Sequence, residues 1–244
     1  MRPFFYSFDL ESGSVGKSHR LDADGAGIRS TLVSALSADG AVLAFAGGSG
    51  VVQLVDARVR QPVAVLKSNS PLADIAFSGD NEMVGLGMDS EVCVWDVRAR
   101  RCCGRWRDVD GFGGALVSAG EGVLATGSST GYVNLYAPTP SSAPSFSTTP
   151  QHLKTLSHLT TRITTLSFNA DAKLLAVASS AKTDALKIVH VQSGSVFANW
   201  PTSGTPVGVV GCVGWSPGGE WLVVGNGKGR VGLWSVGWYA GKGR

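Results

Sequence analysis

Apolar runs of about six residues, separated by clusters of Gly, Ser, Asn and Asp, succeed one another along the chain. EVCVWD at 91–96 is the most legible. Five similar runs recur: FFYSFD ending at Asp9, VVQLVD at Asp56, YVNLYA at Ala137, ALKIVH at His190 and RVGLWS at Ser235. With Asp96 included, successive endings lie 47, 40, 41, 53 and 45 residues apart. From the second onward each is preceded by a run rich in apolar and small residues: AVLAFAG, EMVGLGM, GVLATGS, KLLAVAS and EWLVVGN. Before those lies a segment whose shared apolar position is Leu36, Phe77, Val117, Phe168 or Trp215. The pattern predicts strand, turn, strand, turn, strand five times over, with a half unit in front. No stretch sustains a period of 3.6, and glycines interrupt any segment long enough for a helix.

A four-stranded sheet of this size has two apolar faces and cannot cover both by itself, so successive sheets must stack on one another. Middle strands sandwiched in that way read as nearly continuous Val, Leu and Ala rather than as clean alternation. A repeat of forty-odd residues with a Trp-Asp ending resembles the WD40 β-propeller. The expected fold class is therefore all-β, with about five and a half blades of a ring of seven, in one domain over 1–244. The first two strands of the leading blade are missing, so roughly 60–80 further residues are expected upstream at this repeat length. In this scheme Asp56, Trp95, Asp96, Tyr136, His190 and Trp234 occupy WD-type positions with structural work: Trp95 packs between blades and Asp96 begins the turn to the fourth strand.

Composition sharpens this picture. Thirty-three glycines in 244 residues suit many tight turns, and 43% hydrophobic against 16% charged residues excludes a globally disordered chain. A formal net charge of +3 is compatible with an RNA-rich setting without arguing for one. Cys93, Cys102, Cys103 and Cys212 lack metal-ligand spacing and are expected to be buried or half-buried reduced thiols of an intracellular protein. The uncharged stretch PTPSSAPSFSTTPQ at 138–151 accounts for the longest interval and is expected to be a flexible insertion between the third and fourth strands of its blade.

Candidate chemistry is sparse. SVGKS at 14–18 ends like a phosphate-binding loop, but Glu11 stands where that motif needs its first glycine; GNGKGR at 225–230 lacks the hydroxyl residue. Both read as turns. His19, His152, His158 and His190 share no metal-binding spacing, and no nucleophile elbow is present. No catalytic, metal or cofactor residue is nominated, and an enzyme is not expected. Arg98, Arg100, Arg101, Arg105 and Arg107, with Trp106 among them, flank the turn after VWD and form a candidate surface for RNA phosphates or an acidic partner.

Several strings are more specific than the repeat. DSEVCVWDVRARRC, RWRDVDG, GVLATGSSTGYVNLY, the long run from LSHLTTRITTL to VFANWPT, and VVGNGKGRVGLW resemble the C-terminal propeller of the U3 small nucleolar RNA-associated protein 18 family. That resemblance implies a non-catalytic nucleolar scaffold, a subunit of the UtpB subcomplex of the small-subunit processome, which folds and cleaves the precursor of 18S ribosomal RNA. Its implied partners are other propeller and helical-repeat subunits, U3 small nucleolar RNA and the pre-rRNA, with no membrane, cofactor or small-molecule substrate. The second reading takes Trp95-Asp96-Val97-Arg98 as a WDxR box and the protein as a substrate receptor of a cullin-type ubiquitin ligase.

Overall fold

The computed structural model describes residues 4–18, 21, 33–79, 81–109, 111–138, 146 and 148–237. The chain divides into two compact units, Met1–Arg107 with Phe146–Thr149, and Asp108–Ser145 with Pro150–Arg244. All regular elements among the described residues are strands, and all pairings are antiparallel.

The first unit opens with a hairpin of β1 (Tyr6–Phe8) and β2 (Val15–Lys17). A four-stranded sheet follows, β3 (Val33–Leu36), β4 (Val42–Ala46), β5 (Val51–Asp56) and β6 (Gln61–Lys67). The next contains β7 (Leu72–Ser78), β8 (Glu82–Gly87), β9 (Glu91–Asp96) and β10 (Arg101–Arg107). The second unit begins with β11 (Gly114–Gly120), β12 (Val123–Ser128), β13 (Val133–Ala137) and β14 (Gln151–Leu156) in one sheet. Then come β15 (Thr165–Phe168), β16 (Leu174–Ala178), β17 (Leu186–His190) and the short β18 (Ser195–Val196). A three-stranded sheet of β19 (Val210–Trp215), β20 (Trp221–Asn226) and β21 (Val231–Ser235) ends it. Each of the six expected runs holds a strand, the first ending at Phe8 rather than Asp9 and the others at Asp56, Asp96, Ala137, His190 and Ser235, and the strand order in each sheet is sequential.

Burial explains the composition of the strands. The middle strands β12 and β16 are buried at every residue, while the outer β14 is exposed over its first four. In the first unit, Val52, Leu54 and Leu66 of one sheet share a core with Met83, Cys93 and Trp95 of the next. In the second, Val133, Leu135 and Leu156 pack with Leu175 and Val177, and Ala176 and Leu186 pack with Leu222 and Val224. At about 25 cal/mol per Å² of buried apolar area, stacking of this kind is the dominant stabilising contribution.

The turns repeat as faithfully as the strands. Between second and third strands a left-handed residue recurs at Gly50, Ser90, Gly131, Asp184 and Gly229. Between first and second strands, Ser37, Asn169 and Ser216 each accept, through the side chain, the amide that opens the second strand. One sheet departs from the aligned register. Leu36, Phe77, Phe168 and Trp215 pair with Leu43, Met83, Leu175 and Leu222, but Val117 pairs with Thr126 and Ala119 takes the place opposite Leu124. The reason is a tight turn at Glu121–Gly122, where Gly122 adopts φ +66°, a conformation that glycine enters without a Cβ penalty.

Candidate interaction surface

The WD-type positions serve the fold. Trp95 is 1% exposed and lies across Gly85, where a Cβ would meet the indole at 2.7 Å, so only glycine admits the ring. The Asp96 carboxylate accepts the Ala99 amide at 2.8 Å, and Asp56 accepts the amides of Arg58 and Val59 at 2.8 and 3.1 Å. His190 does the same work with a ring nitrogen: Nδ1 lies 2.9 Å from Ser193 Oγ and accepts the Ser193 amide at 3.4 Å. Four residues after Asp9, Asp56, Asp96 and His190 the backbone turns left-handed, at Gly13, Arg60, Arg100 and Gly194. Trp234 occupies the position of Trp95 in the last sheet but is only half-buried; its ring lies 5.1 Å from that of Trp200.

Tyr136 stands at the Trp95 position of the β11–β14 sheet and belongs to a network that the repeat alignment did not single out. Asp108 is 6% exposed, and its Oδ1 accepts hydrogen bonds from Thr126 Oγ1 (2.8 Å), Asn134 Nδ2 (3.0 Å) and Tyr136 Oη (2.5 Å). Tyr136 Oη in turn accepts the Val109 amide at 2.9 Å, and Thr155 Oγ1 donates to Asn134 Oδ1 at 2.7 Å. A buried carboxylate with three donors on one oxygen is well solvated by the protein, so it ties β12 to β13 instead of destabilising them. The only sequence signal is polar residues at Thr126 and Asn134 in otherwise apolar runs.

The five arginines do not form one patch. Arg98 and Arg100 lie in the exposed turn, and Arg100 is itself the left-handed residue at φ +53°. In β10 a bulge between Cys102 and Gly104 shifts the register, so that Arg101 pairs with Asp96 while Arg105 and Arg107 pair with Cys93 and Glu91. Alternation then places Arg101 on the Val92 and Val94 face, and Arg105 and Arg107 on the Trp95 face. Trp106, opposite Val92, is buried and donates its indole N–H to the Phe146 carbonyl at 3.1 Å.

Phe146 lies within the 138–151 segment. It is 2% exposed, and its amide donates to Glu82 Oε1 at 3.2 Å. Within this segment, which joins the third and fourth strands of its sheet, the Phe146 ring is buried and belongs to the first unit; residues 139–145 and 147 lie outside the described residues, as does His19, and β14 already begins at Gln151. All four cysteines are free, but only Cys93 is buried. Cys102 and Cys103 lie on an outer strand and Cys212 on an uncovered sheet face, which corrects the expectation of general burial. Burial pushes the Cys93 thiol pKa up, with the nearby Ser68 hydroxyl opposing it.

The phosphate-loop lookalikes are turns or strands. SVGKS runs through β2, and in GNGKGR the Asn226 carboxamide accepts the amides of Lys228 and Arg230 at 3.0 and 3.1 Å. Among the described residues no three His, Cys, Asp or Glu converge on a metal site, and no helix is long and apolar enough to cross a membrane. One large cavity, about 1050 Å³, opens in the second unit between the β15–β18 and β19–β21 sheets; Trp200, Trp215, Trp234, Phe197, His190 and Lys173 are on its wall.

Sequential antiparallel sheets, stacked faces and Asp-capped turns at this spacing define a WD40-repeat protein of the β-propeller class. The family described as WD domain, G-beta repeat matches residues 60–96 and 201–235. The first of these spans the fourth strand of one sheet and the first three of the next, so the sequence repeat is offset from the sheet it builds. Over nearly its full length the chain is similar to the probable U3 small nucleolar RNA-associated protein 18 of Schizosaccharomyces pombe, 37% identical over 98% of this chain and 46% of that protein. The Arabidopsis thaliana homologue is 33% identical over 96% of this chain and 42% of its own, and the human one 29% over 93% and 40%. The chain is similar to U3 small nucleolar RNA-associated protein 18 of several organisms and spans about half the length of the curated relatives it matches. Nothing in this site favours the WDxR reading: Trp95 is buried and Asp96 is engaged in its turn, which leaves Arg98 alone of the box's marked positions at the surface.

Proposed function

We propose that this protein is a non-catalytic scaffold of ribosome assembly, acting with U3 small nucleolar RNA in the small-subunit processome during processing of the 18S pre-rRNA. The observation that carries this reading is the extent of the similarity, which runs along almost the whole chain to proteins named for their association with U3 RNA in several organisms. The fold supports it, because stacked sheets expose strand edges and turns for docking while their regularly spaced residues are engaged in packing and turns. In this reading the protein works in the nucleolus beside other UtpB propeller and helical-repeat subunits. Arg98, Arg100, Arg101, Arg105 and Arg107 supply cationic contacts to RNA or to an acidic partner, without any cofactor.

The test is affinity purification of the tagged full-length protein from its own cells, followed by gradient sedimentation and RNA analysis. Enrichment of U3 RNA and 18S precursors in large particles is expected. Sedimentation as a small species without U3 RNA would refute the scaffold reading, and recovery of a cullin adaptor instead would revive the other one.

A further inference from the structure

Two turns of the first unit share a pattern that sets them apart. The connections from third to fourth strand run Asp56-Ala-Arg58-Val-Arg60 and Asp96-Val-Arg98-Ala-Arg100, with arginine two and four residues after the Asp that caps the turn. The corresponding turns Asp9–Gly13 and His190–Gly194 carry Glu11 or Gln192 at the first of these positions and glycine at the second. That second position is left-handed in all four, at φ 59° for Arg60 and 53° for Arg100. Glycine enters this region freely and a side chain does not, so two arginines stand where the backbone favours none. Strain that glycine would relieve, kept twice with the same side chain, points to work done by that side chain.

The two sheets run their strands in the same order and share one core, which sets these turns side by side at one end of the stack. Arg58, Arg98 and Arg100 are exposed. Arg60 is half-buried, and its guanidinium lies over Gly16 of β2, where only a residue without a Cβ admits it. None of the four guanidiniums is in an ion pair among the described residues. The nearby acids are engaged elsewhere. Asp56 and Asp96 accept amides of their own turns, and Glu82 accepts the Phe146 amide. Asp39, whose carboxyl is held low by the Ser37 hydroxyl first and by the Arg58 charge last, accepts Ser37 Oγ at 2.6 Å and the Ala41 amide at 3.0 Å. Planar guanidinium forks match phosphate bidentately, and a repeated cationic array without an aromatic side chain suits a strand gripped by its backbone, not by its bases.

We infer that the turns at 56–60 and 96–100 form a binding rim for single-stranded RNA, in which Arg58 and Arg60 of one turn and Arg98 and Arg100 of the other neutralise successive phosphates of the same strand. The rim reads charge and spacing, so its binding is independent of base sequence. The inference deepens the scaffold reading, on which the choice of RNA rests. The two fail separately, since binding of a defined RNA to purified protein and recovery of U3 RNA from cells are independent measurements.

The test uses the purified full chain and a fluorescein-labelled oligouridylate, read by fluorescence anisotropy over a salt series. Saturable binding is expected, with a log–log slope against salt of about −3, the value for roughly four phosphates neutralised on a single strand. Arg58→Gln with Arg60→Gln, and Arg98→Gln with Arg100→Gly, are each expected to halve that slope and to weaken binding about 10- to 30-fold at roughly 0.1 M salt. Lys182→Gln with Lys228→Gln removes the same charge from exposed positions in turns between second and third strands and is expected to leave slope and affinity nearly unchanged. Because Arg100 is exposed and left-handed, Arg98→Gln with Arg100→Gly is also expected to keep the thermal midpoint or raise it by up to about 4 °C. A fall in the midpoint would mean that the arginines serve the turn, and would overturn the proposal. So would an equal loss of affinity with the lysine pair, or no saturable binding by the parent. Equal affinity for fluorescein-labelled decaglutamate would likewise overturn it, by assigning the rim to an acidic protein.

Discussion

Replacing Trp95 by Ala removes the largest buried side chain of the first unit's core and tests the stacking argument directly. The indole is 1% exposed and its N–H has no hydrogen-bond partner among the described residues, so the effect is apolar. A buried Trp removes about 150–250 Å² from water, which at ~25 cal/mol per Å² amounts to roughly 4–6 kcal/mol. Compactness of the unfolded chain lowers that by about 10–40%. The expected loss is therefore about 3–5 kcal/mol, in line with other Trp deletions in cores. Gly85 lies beneath the ring and adds no side chain that could collapse into the space. For a chain of this length the loss corresponds to a fall of roughly 6–20 °C in the unfolding midpoint. Urea and thermal unfolding would measure it, with hydrogen exchange on β8 and β9 reporting the first unit separately, because two units need not unfold together. Trp221→Ala serves as comparison, since Trp221 is 42% exposed and its loss is expected to be much smaller. A Trp95→Ala protein within about 1 kcal/mol of the parent would refute the claim that this ring fills an inter-sheet core.

Further expectations follow from the other sites. Asp108→Ala leaves the Thr126, Asn134 and Tyr136 donors without their shared acceptor and is expected to destabilise the second unit by about 3 kcal/mol or more, read by hydrogen exchange on β12 and β13. A thiol reagent at neutral pH is expected to modify Cys102, Cys103 and Cys212 in the folded protein and Cys93 only after denaturation, with mass spectrometry of the labelled peptides as the check. Because burial raises the Cys93 pKa, its contribution to stability is intact below the unfolded thiol pKa and declines as pH rises through the folded one, so Cys93→Ala is expected to flatten the alkaline limb of the stability curve. Arg101→Glu and the pair Arg105→Glu with Arg107→Glu change opposite faces of β10 and are expected to weaken particle association to different degrees while leaving unfolding midpoints unchanged; equal sedimentation for all would remove this strand from the interface. His190→Asp is expected to keep the turn, whereas His190→Ala costs about 0.5–2 kcal/mol through loss of the acceptor for the Ser193 amide, measured by urea titration.

The strands were legible because their signals are local. Apolar runs of strand length bounded by Gly, Ser and Asp recur at a spacing that only stacked four-stranded sheets explain, and His190 could replace Asp because a ring nitrogen is also an acceptor. The candidate site was less legible. Five arginines close in sequence looked like one cluster, but a single bulge at Cys102–Gly104 turns Arg101 away from Arg105 and Arg107, and no composition reveals a bulge. Asp108 gave no sign of its role, since its three donors come from 18, 26 and 28 residues further along.

Taken alone, the order of residues determined that this chain makes small antiparallel sheets with Asp-type turns and must stack them, because period and turn chemistry are encoded within a few neighbours. Tertiary structure decided the rest. It set the register around Val117, where one glycine tightened a turn. It seated Phe146 against Trp106 from a segment that reads as solvated. Those outcomes depend on which surfaces meet across dozens of residues, where packing and pairing, not local preference, carry most of the free energy.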